Sequence, residues 1–258
     1  MKTNTLFSIL IVATLYSCSS EFYQAYKLDS TEVVFKDKKF IFENDEILIS
    51  YNFWSNGINK PYTIYNKTDS IIFLDMENSH YAINGKGNSY YRNRVLTSQN
   101  TTGSETAINW ASKYFNTPLI ETSSVKSSNT NGVYIFEPTI VRIYPKTFVD
   151  IWGLNFIPVQ FLSCDLKPAS ANSSKSTLVI QRDKTPISIV NSLKYGFSLK
   201  QEKNHTIVNN FWVSEVTNYD PFDFVGTFKI NYCESSEWKE IFRYESANSF
   251  YSKIIIQP

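Results

Sequence analysis

Glu46-Ile47-Leu48-Ile49-Ser50-Tyr51-Asn52-Phe53-Trp54 decides the fold class. Ile47, Ile49, Tyr51 and Phe53 fall on one face, and Leu48, Ser50, Asn52 and Trp54 on the other. Alternation with a period of two and one apolar side predicts a half-buried strand. Asn56-Gly57 follows as a turn. Downstream, Tyr62–Tyr65 and Ile71–Leu74 flank the polar Asn66-Lys67-Thr68-Asp69, which predicts a hairpin, and Asn84-Gly85 is a second strong turn signal. From Val133 the pattern resumes in short apolar stretches: Val133–Phe136, Ile140–Tyr144, Val159–Leu162, Leu178–Gln181, Ile187–Val190, Tyr195–Leu199, Ile207–Val216, Phe224–Asn231 and Ile241–Tyr244, with Ile254–Ile256 closing the last sheet.

Residues 95–132 break this rhythm. Ala107, Ile108, Ala111, Tyr114 and Phe115 recur at helical spacing behind Ser104 as N-cap, with Asn116 and Pro118 as stop signals. One short amphipathic helix is expected near 104–116, and polar loops over 122–132 and 168–177. Many short strands and a single helix predict an all-β body: a β-sandwich, immunoglobulin-like, over residues 31–258, with 95–132 as the place where two sub-domains would divide. No repeat of fixed period is present.

Seventeen Tyr, nineteen Phe and five Trp with only eight Gly suit that architecture. Twenty-five Lys and Arg against twenty-four Asp and Glu leave no basic excess and no polybasic block, which argues against a nucleic-acid partner.

The N-terminus carries an address. Lys2 precedes the apolar run Leu6–Tyr16, and a small residue and a cysteine follow in Leu15-Tyr16-Ser17-Cys18. A positive head, an apolar segment of about 7–15 residues and a small-residue cut site describe a secretory signal peptide over residues 1–17. The run is shorter than the roughly 20 residues a membrane-spanning helix needs. Leu15-Tyr16-Ser17-Cys18 resembles a bacterial lipobox, in which Cys18 is lipidated and becomes the first mature residue. Residues 18–30 are then expected to be a lipidated tether. Ser19 in place of Asp after the cysteine resembles the outer-membrane sorting rule, and Glu21 alone does not make the acidic cluster of surface-exported relatives.

Motifs that would carry catalysis are weak. His80 and His205 lack metal-spaced partners. No Gly-x-Ser-x-Gly elbow occurs, and Gly85-Lys86-Gly87 lacks the frame of a phosphate loop. Asp220-Pro221-Phe222-Asp223 could pair two carboxylates for glycoside hydrolysis or calcium binding, but reads more simply as a turn. Glu43, Asp45 and Glu46 read as a hairpin tip. No cofactor and no metal site is called for. Cys164 and Cys233, in strand-like segments of an exported chain, either pair as a disulfide or are two small buried hydrophobes. Trp54, Trp110, Trp152, Trp212 and Trp238 are the candidates for an aromatic platform that stacks on sugars, most of them serving the core.

Phe22-Tyr23-Gln24-Ala25-Tyr26-Lys27, Ser50–Trp54, Tyr65–Asp69, Asn84-Gly85 with Tyr90-Tyr91, and Phe211–Tyr219 together resemble uncharacterised Bacteroides-type (Bacteroidetes) envelope lipoproteins. The resemblance implies a lipid-anchored envelope protein and carries over no activity. Asp29-Ser30-Thr31 and Asp69-Ser70-Ile71 resemble the O-glycosylation sequon of that phylum, which implies Ser30 and Ser70 as sites. The expected function is a non-enzymatic binding or structural module held to the membrane by its lipid, with a glycan or an envelope protein as partner. The alternatives are a glycan-handling surface lipoprotein and a hydrolase with an unrecognised site.

Overall fold

The computed structural model describes residues 20–58, 60–92, 95–99, 132–136, 138–158, 160–167, 169, 175–199, 204–232 and 235–256. The strands are β1 (Ser20–Ser30), β2 (Val34–Lys36), β3 (Lys39–Glu43), β4 (Ile47–Tyr51), β5 (Tyr62–Asn66), β6 (Ile72–Ile83), β7 (Lys86–Ser89), β8 (Val95–Gln99), β9 (Gly132–Phe136), β10 (Ile140–Ile143), β11 (Phe148–Ile151), β12 (Lys175–Val179), β13 (Ser188–Gly196), β14 (Asn204–Tyr219), β15 (Val225–Tyr232), β16 (Ser235–Phe242) and β17 (Ser249–Ile256). One four-residue helix, α1 (Pro221–Phe224), and a 3-10 turn at Arg182–Lys184 complete the described elements. The chain has the all-β, sandwich-like fold its alternation predicts. The helix expected near 104–116 lies outside the described residues, as does the loop expected over 122–132 except for Gly132, which begins β9. No helix among those described is long and apolar enough to cross a membrane.

Two antiparallel sheets face each other. The large one runs β10-β6-β13-β14-β1-β17, with β7 added to β6 and β12 to β14; the small one runs β11-β5-β4-β3-β2. Between them lies one apolar core, in which Phe211 of the large sheet meets the rings of Phe40, Tyr51 and Phe53 at 5.5, 4.9 and 5.2 Å. Ile47, Ile49, Tyr51 and Phe53 are all buried, as the period-two pattern requires. Trp54, on the opposite face of that pattern, is buried too, because a second layer covers it.

Four expectations about local structure are corrected. The tether expected over residues 18–30 is strand from Ser20 onward. Residues 20–30 form β1, paired with β14 on one side and β17 on the other, and Phe22, Gln24, Tyr26 and Leu28 point inward and are buried. Tyr62–Tyr65 and Ile71–Leu74 are strands, but they do not pair as a hairpin. β5 is flanked by β4 and β11 and β6 by β13 and β10, so the turn between them crosses from one sheet to the other. Asn66 fixes that crossing: its fully buried side-chain amide donates to the carbonyls of Ser70, Ile143 and Tyr144 at 2.8, 2.9 and 3.2 Å, and its Oδ1 accepts from the Thr68 amide at 2.9 Å. Residues 160–162 are not a strand. Residues 188–190 of the expected strand Ile187–Val190 and the start of Tyr195–Leu199 belong to the single strand β13, whose polar middle, Asn191-Ser192, is buried.

The turns follow their chemistry. Asn84 and Gly85, at φ 50° and 79°, close the two-residue hairpin between β6 and β7, where both central residues need positive φ. Gly57 sits at φ 70° where a Cβ would come 2.5 Å from the Phe156 carbonyl oxygen; the Gly57 amide donates to the Tyr251 carbonyl and the Ile58 amide to Phe156. Only glycine permits this crossing of three chain segments.

Candidate functional site

Cys18 lies outside the described residues, but only Ser19 separates it from β1. Cys164 sits in a turn, not a strand, with an exposed free thiol; Cys233 lies outside the described residues. Ser30 is half-buried at the end of β1. Its hydroxyl donates to Glu32 Oε2 at 3.2 Å and accepts from the Glu32 and Val33 amides at 3.2 and 3.1 Å. Ser70 is exposed in the turn that crosses between the sheets.

The two histidines stay apart. His80 lies on β6 opposite Ser192 and Ser89, and His205 on β14 opposite Tyr195. Among the described residues no group of three or more His, Cys, Asp or Glu could hold a metal ion. Asp220 and Asp223 are not presented as a pair. Asp220 caps α1, accepting from the Phe222 amide at 2.9 Å ahead of Pro221 at the first helical position; Asp223 accepts from the Tyr244 hydroxyl at 3.0 Å.

One constellation joins groups that sequence reasoning left separate. Asn44 Oδ1 accepts from the Glu46 and Ile47 amides at 2.9 and 2.8 Å and shapes the turn between β3 and β4. That turn delivers Glu46 across the core edge to the large sheet, where the Tyr195 hydroxyl donates to Glu46 Oε2 at 2.5 Å. The His205 ring stacks on Tyr195 with centroids 5.2 Å apart, and its Nδ1 is 3.7 Å from the same carboxylate oxygen. Burial, then the neighbouring Glu46, pushes the Tyr195 hydroxyl up, so it stays a donor at neutral pH. The carboxylate is thus engaged by a protonated phenol, and the group ties one sheet to the other. No local signal in the sequence links residues 149 positions apart.

A second buried polar network crosses the core. Asn191 Nδ2 donates to the Tyr51 hydroxyl at 2.8 Å, the Tyr51 hydroxyl donates to Asn209 Oδ1 at 2.8 Å, and the Tyr90 hydroxyl donates to Asn191 Oδ1 at 2.9 Å. These partners come from both sheets and fix their register against each other.

The described tryptophans do not assemble into one platform. Trp54 is buried, with no acceptor for its indole N–H among the described residues; Trp110 lies outside them; Trp152 is half-buried; the Arg182 guanidinium stands 4.5 Å over Trp212; and Trp238 alone is strongly exposed, on β16 opposite Lys229.

The aromatic residues instead build a satellite cluster on the outer face of the large sheet. Phe224 at the end of α1 is its centre. Fully buried, it packs on Tyr23 (4.6 Å), Tyr219 (5.2 Å), Tyr251 (5.4 Å), Trp54 (5.8 Å), Phe242 (5.8 Å) and Tyr244 (6.2 Å). The cluster fastens α1 and the β15–β16 hairpin over β1 and β17. Phe224→Ala should therefore cost about 3–5 kcal/mol, lower Tm by about 10 °C, and open the hairpin to limited proteolysis. An unchanged Tm and digestion pattern would show that the cluster holds nothing.

At the first residues of β1 the surface is apolar on several sides. Ile255, opposite Glu21, is 58% exposed and Phe222 on α1 is 86% exposed. Leu162 is 78% exposed, next to Phe161, whose amide donates to Gln24 Oε1 at 2.8 Å while Gln24 Nε2 donates to the Phe161 carbonyl at 3.0 Å. Lys253 pairs with Glu21 at 2.8 Å beside them.

Comparison with known proteins finds no match to this chain among family models, curated proteins or solved structures.

Proposed function

We propose that the protein is a lipid-anchored component of the bacterial cell envelope, held at the outer membrane, and that its β-body works as a non-enzymatic binding or structural module. The observation that carries this reading is Leu15-Tyr16-Ser17-Cys18 closing the apolar run Leu6–Tyr16. A lipobox cysteine carries more than one acyl chain, and each buried CH2 contributes about 0.8 kcal/mol, so attachment is lasting where a single chain would be marginal. The body favours binding or scaffolding over turnover. Glu46 is engaged by Tyr195 and His205 in a tie between the sheets, and Asp220 and Asp223 are engaged by a helix cap and by Tyr244. Among the described residues the glycan-handling alternative rests on Trp238 and the half-buried Trp152, since Trp54 is buried and Trp212 is covered by Arg182.

The test is acyl labelling. Cells grown with an alkyne fatty acid should incorporate label into the wild-type protein and retain it in the membrane fraction. Cys18→Ala should carry no label and move to the soluble fraction. A wild type without label, or a Cys18→Ala variant still bound to membranes, would overturn the reading. Protease treatment of intact cells then decides whether glycan and host-ligand screens or periplasmic cross-linking come next.

A further inference from the structure

We propose that the end of the large sheet where β1 begins is a membrane-docking surface, with Phe222, Ile255 and Leu162 entering the headgroup region of the bilayer beside the lipidated Cys18. The inference rests on the lipid-anchor reading and adds an orientation to it.

The first step is covalent reach. An extended chain advances at most about 3.3–3.6 Å per residue, so Ser20 lies within roughly 7 Å of Cys18. Ser20 is already in the sheet, paired with Ile256. No slack chain separates the anchor from the folded body, and this end of the sheet must ride at the lipid surface.

The second step is what that end carries. Ile255 stands beside Glu21, one pair in from the start of β1. Phe222 follows the Tyr23–Tyr219 pair and is held on a capped turn whose next residue but one, Phe224, stacks on Tyr23 at 4.6 Å. Leu162 adjoins the Phe161 backbone that is bolted to the Gln24 side chain. Glu21 to Gln24 spans about 10 Å of strand. Three exposed apolar side chains thus surround the first residues of β1, and all are presented by fixed backbone.

Exposed apolar side chains also occur elsewhere, among them Val34, Phe148, Ile157, Val179 and Trp238. What separates Phe222, Ile255 and Leu162 from them is the anchor: chain geometry delivers lipid to these three. Val34 follows the far end of β1, a strand that spans about 33 Å from Ser20 to Ser30. Near a bilayer, burying such side chains in the interface is favourable, each by its apolar area, and aromatic side chains suit that depth.

The experiment uses the acylated full-length protein in phosphatidylcholine vesicles. An environment-sensitive NBD label is placed at Phe222→Cys or Val34→Cys, each in a Cys164→Ser, Cys233→Ser background. The lipidated Cys18 is blocked as a thioether. The label at 222 should emit at shorter wavelength and be quenched several-fold more by a nitroxide-bearing phosphatidylcholine than the label at 34. If the protein floats with vesicles but both labels report water, the docking surface is wrong and the anchor stands. If the protein carries no lipid and does not float, the anchor reading fails and the docking surface falls with it.

Discussion

A version of the protein that begins at Thr31 should fail to fold, whereas one that begins at Ser19 should fold. β1 is an interior strand of the large sheet, hydrogen-bonded along Tyr23–Ser30 to β14 and along Ser20–Lys27 to β17. Removing it takes Phe22, Tyr26 and Leu28 out of the buried interior, about 1.5–3 kcal/mol each. It also strips the ladder partners from two strands. Gln24 goes with them. Its amide donates to Asn218 Oδ1 at 2.9 Å and its Oε1 accepts from the Tyr26 hydroxyl at 2.5 Å, so Asn218 loses a buried donor. The three side chains alone account for about 4.5–9 kcal/mol, and with the orphaned Asn218 and the stripped ladders the loss is comparable to the whole of the roughly 5–15 kcal/mol that a domain of this kind has to lose. Size-exclusion chromatography and near-ultraviolet circular dichroism of the two versions provide the check. A monomeric, cooperatively melting protein starting at Thr31 would show that β1 is dispensable and that the segment behaves as the tether its position after the lipobox suggested.

The elements that were legible in the sequence are those whose partners are apolar or local. Ile47, Ile49, Tyr51 and Phe53 declare a strand because nothing interrupts their alternation, and Asn84-Gly85 declares a hairpin because the turn itself fixes the register. Three of the misread elements share one physical cause: a polar residue buried at an inward position, satisfied by a partner far along the chain. Gln24 interrupts Phe22, Tyr26 and Leu28 and makes β1 look like a solvated leader, yet it is buried and held by Phe161 and Asn218. Asn191 splits β13 into two apparent strands, although its amide bridges Tyr51 and Tyr90. Asn66 looks like the start of a hairpin turn and is instead the buried pivot between the sheets. The candidate site was legible to the same extent. The lipobox is local and could be read directly. Glu46, Tyr195 and His205 meet only through the facing of two sheets, and no spacing rule would have joined them.

The same buried polar network makes the fold fail at high pH. Burial pushes the hydroxyls of Tyr51, Tyr62 and Tyr90 well above the ordinary tyrosine range, and that of Tyr26 to about 12. The unfolded chain releases these protons near pH 10. A folded-state pKa raised above the unfolded one contributes stability that is fully present below about pH 10 and is lost as pH climbs toward the folded value. Each such tyrosine removes about 1.4 kcal/mol per pH unit in that window, so Tyr51, Tyr62 and Tyr90 together remove about 4 kcal/mol per unit, and Tyr26 and Tyr195 add to the slope. Against a total of roughly 5–15 kcal/mol, the protein should unfold cooperatively within about two units above pH 10. Tyrosinate absorbance and far-ultraviolet circular dichroism, followed together, test this. The buried fraction of the tyrosinate signal should rise in one step that coincides with loss of β-structure. Smooth ionisation of all the body's tyrosines ahead of any change in dichroism would mean that the Tyr51–Asn191–Tyr90 network is open to water and does not hold the sheets in register.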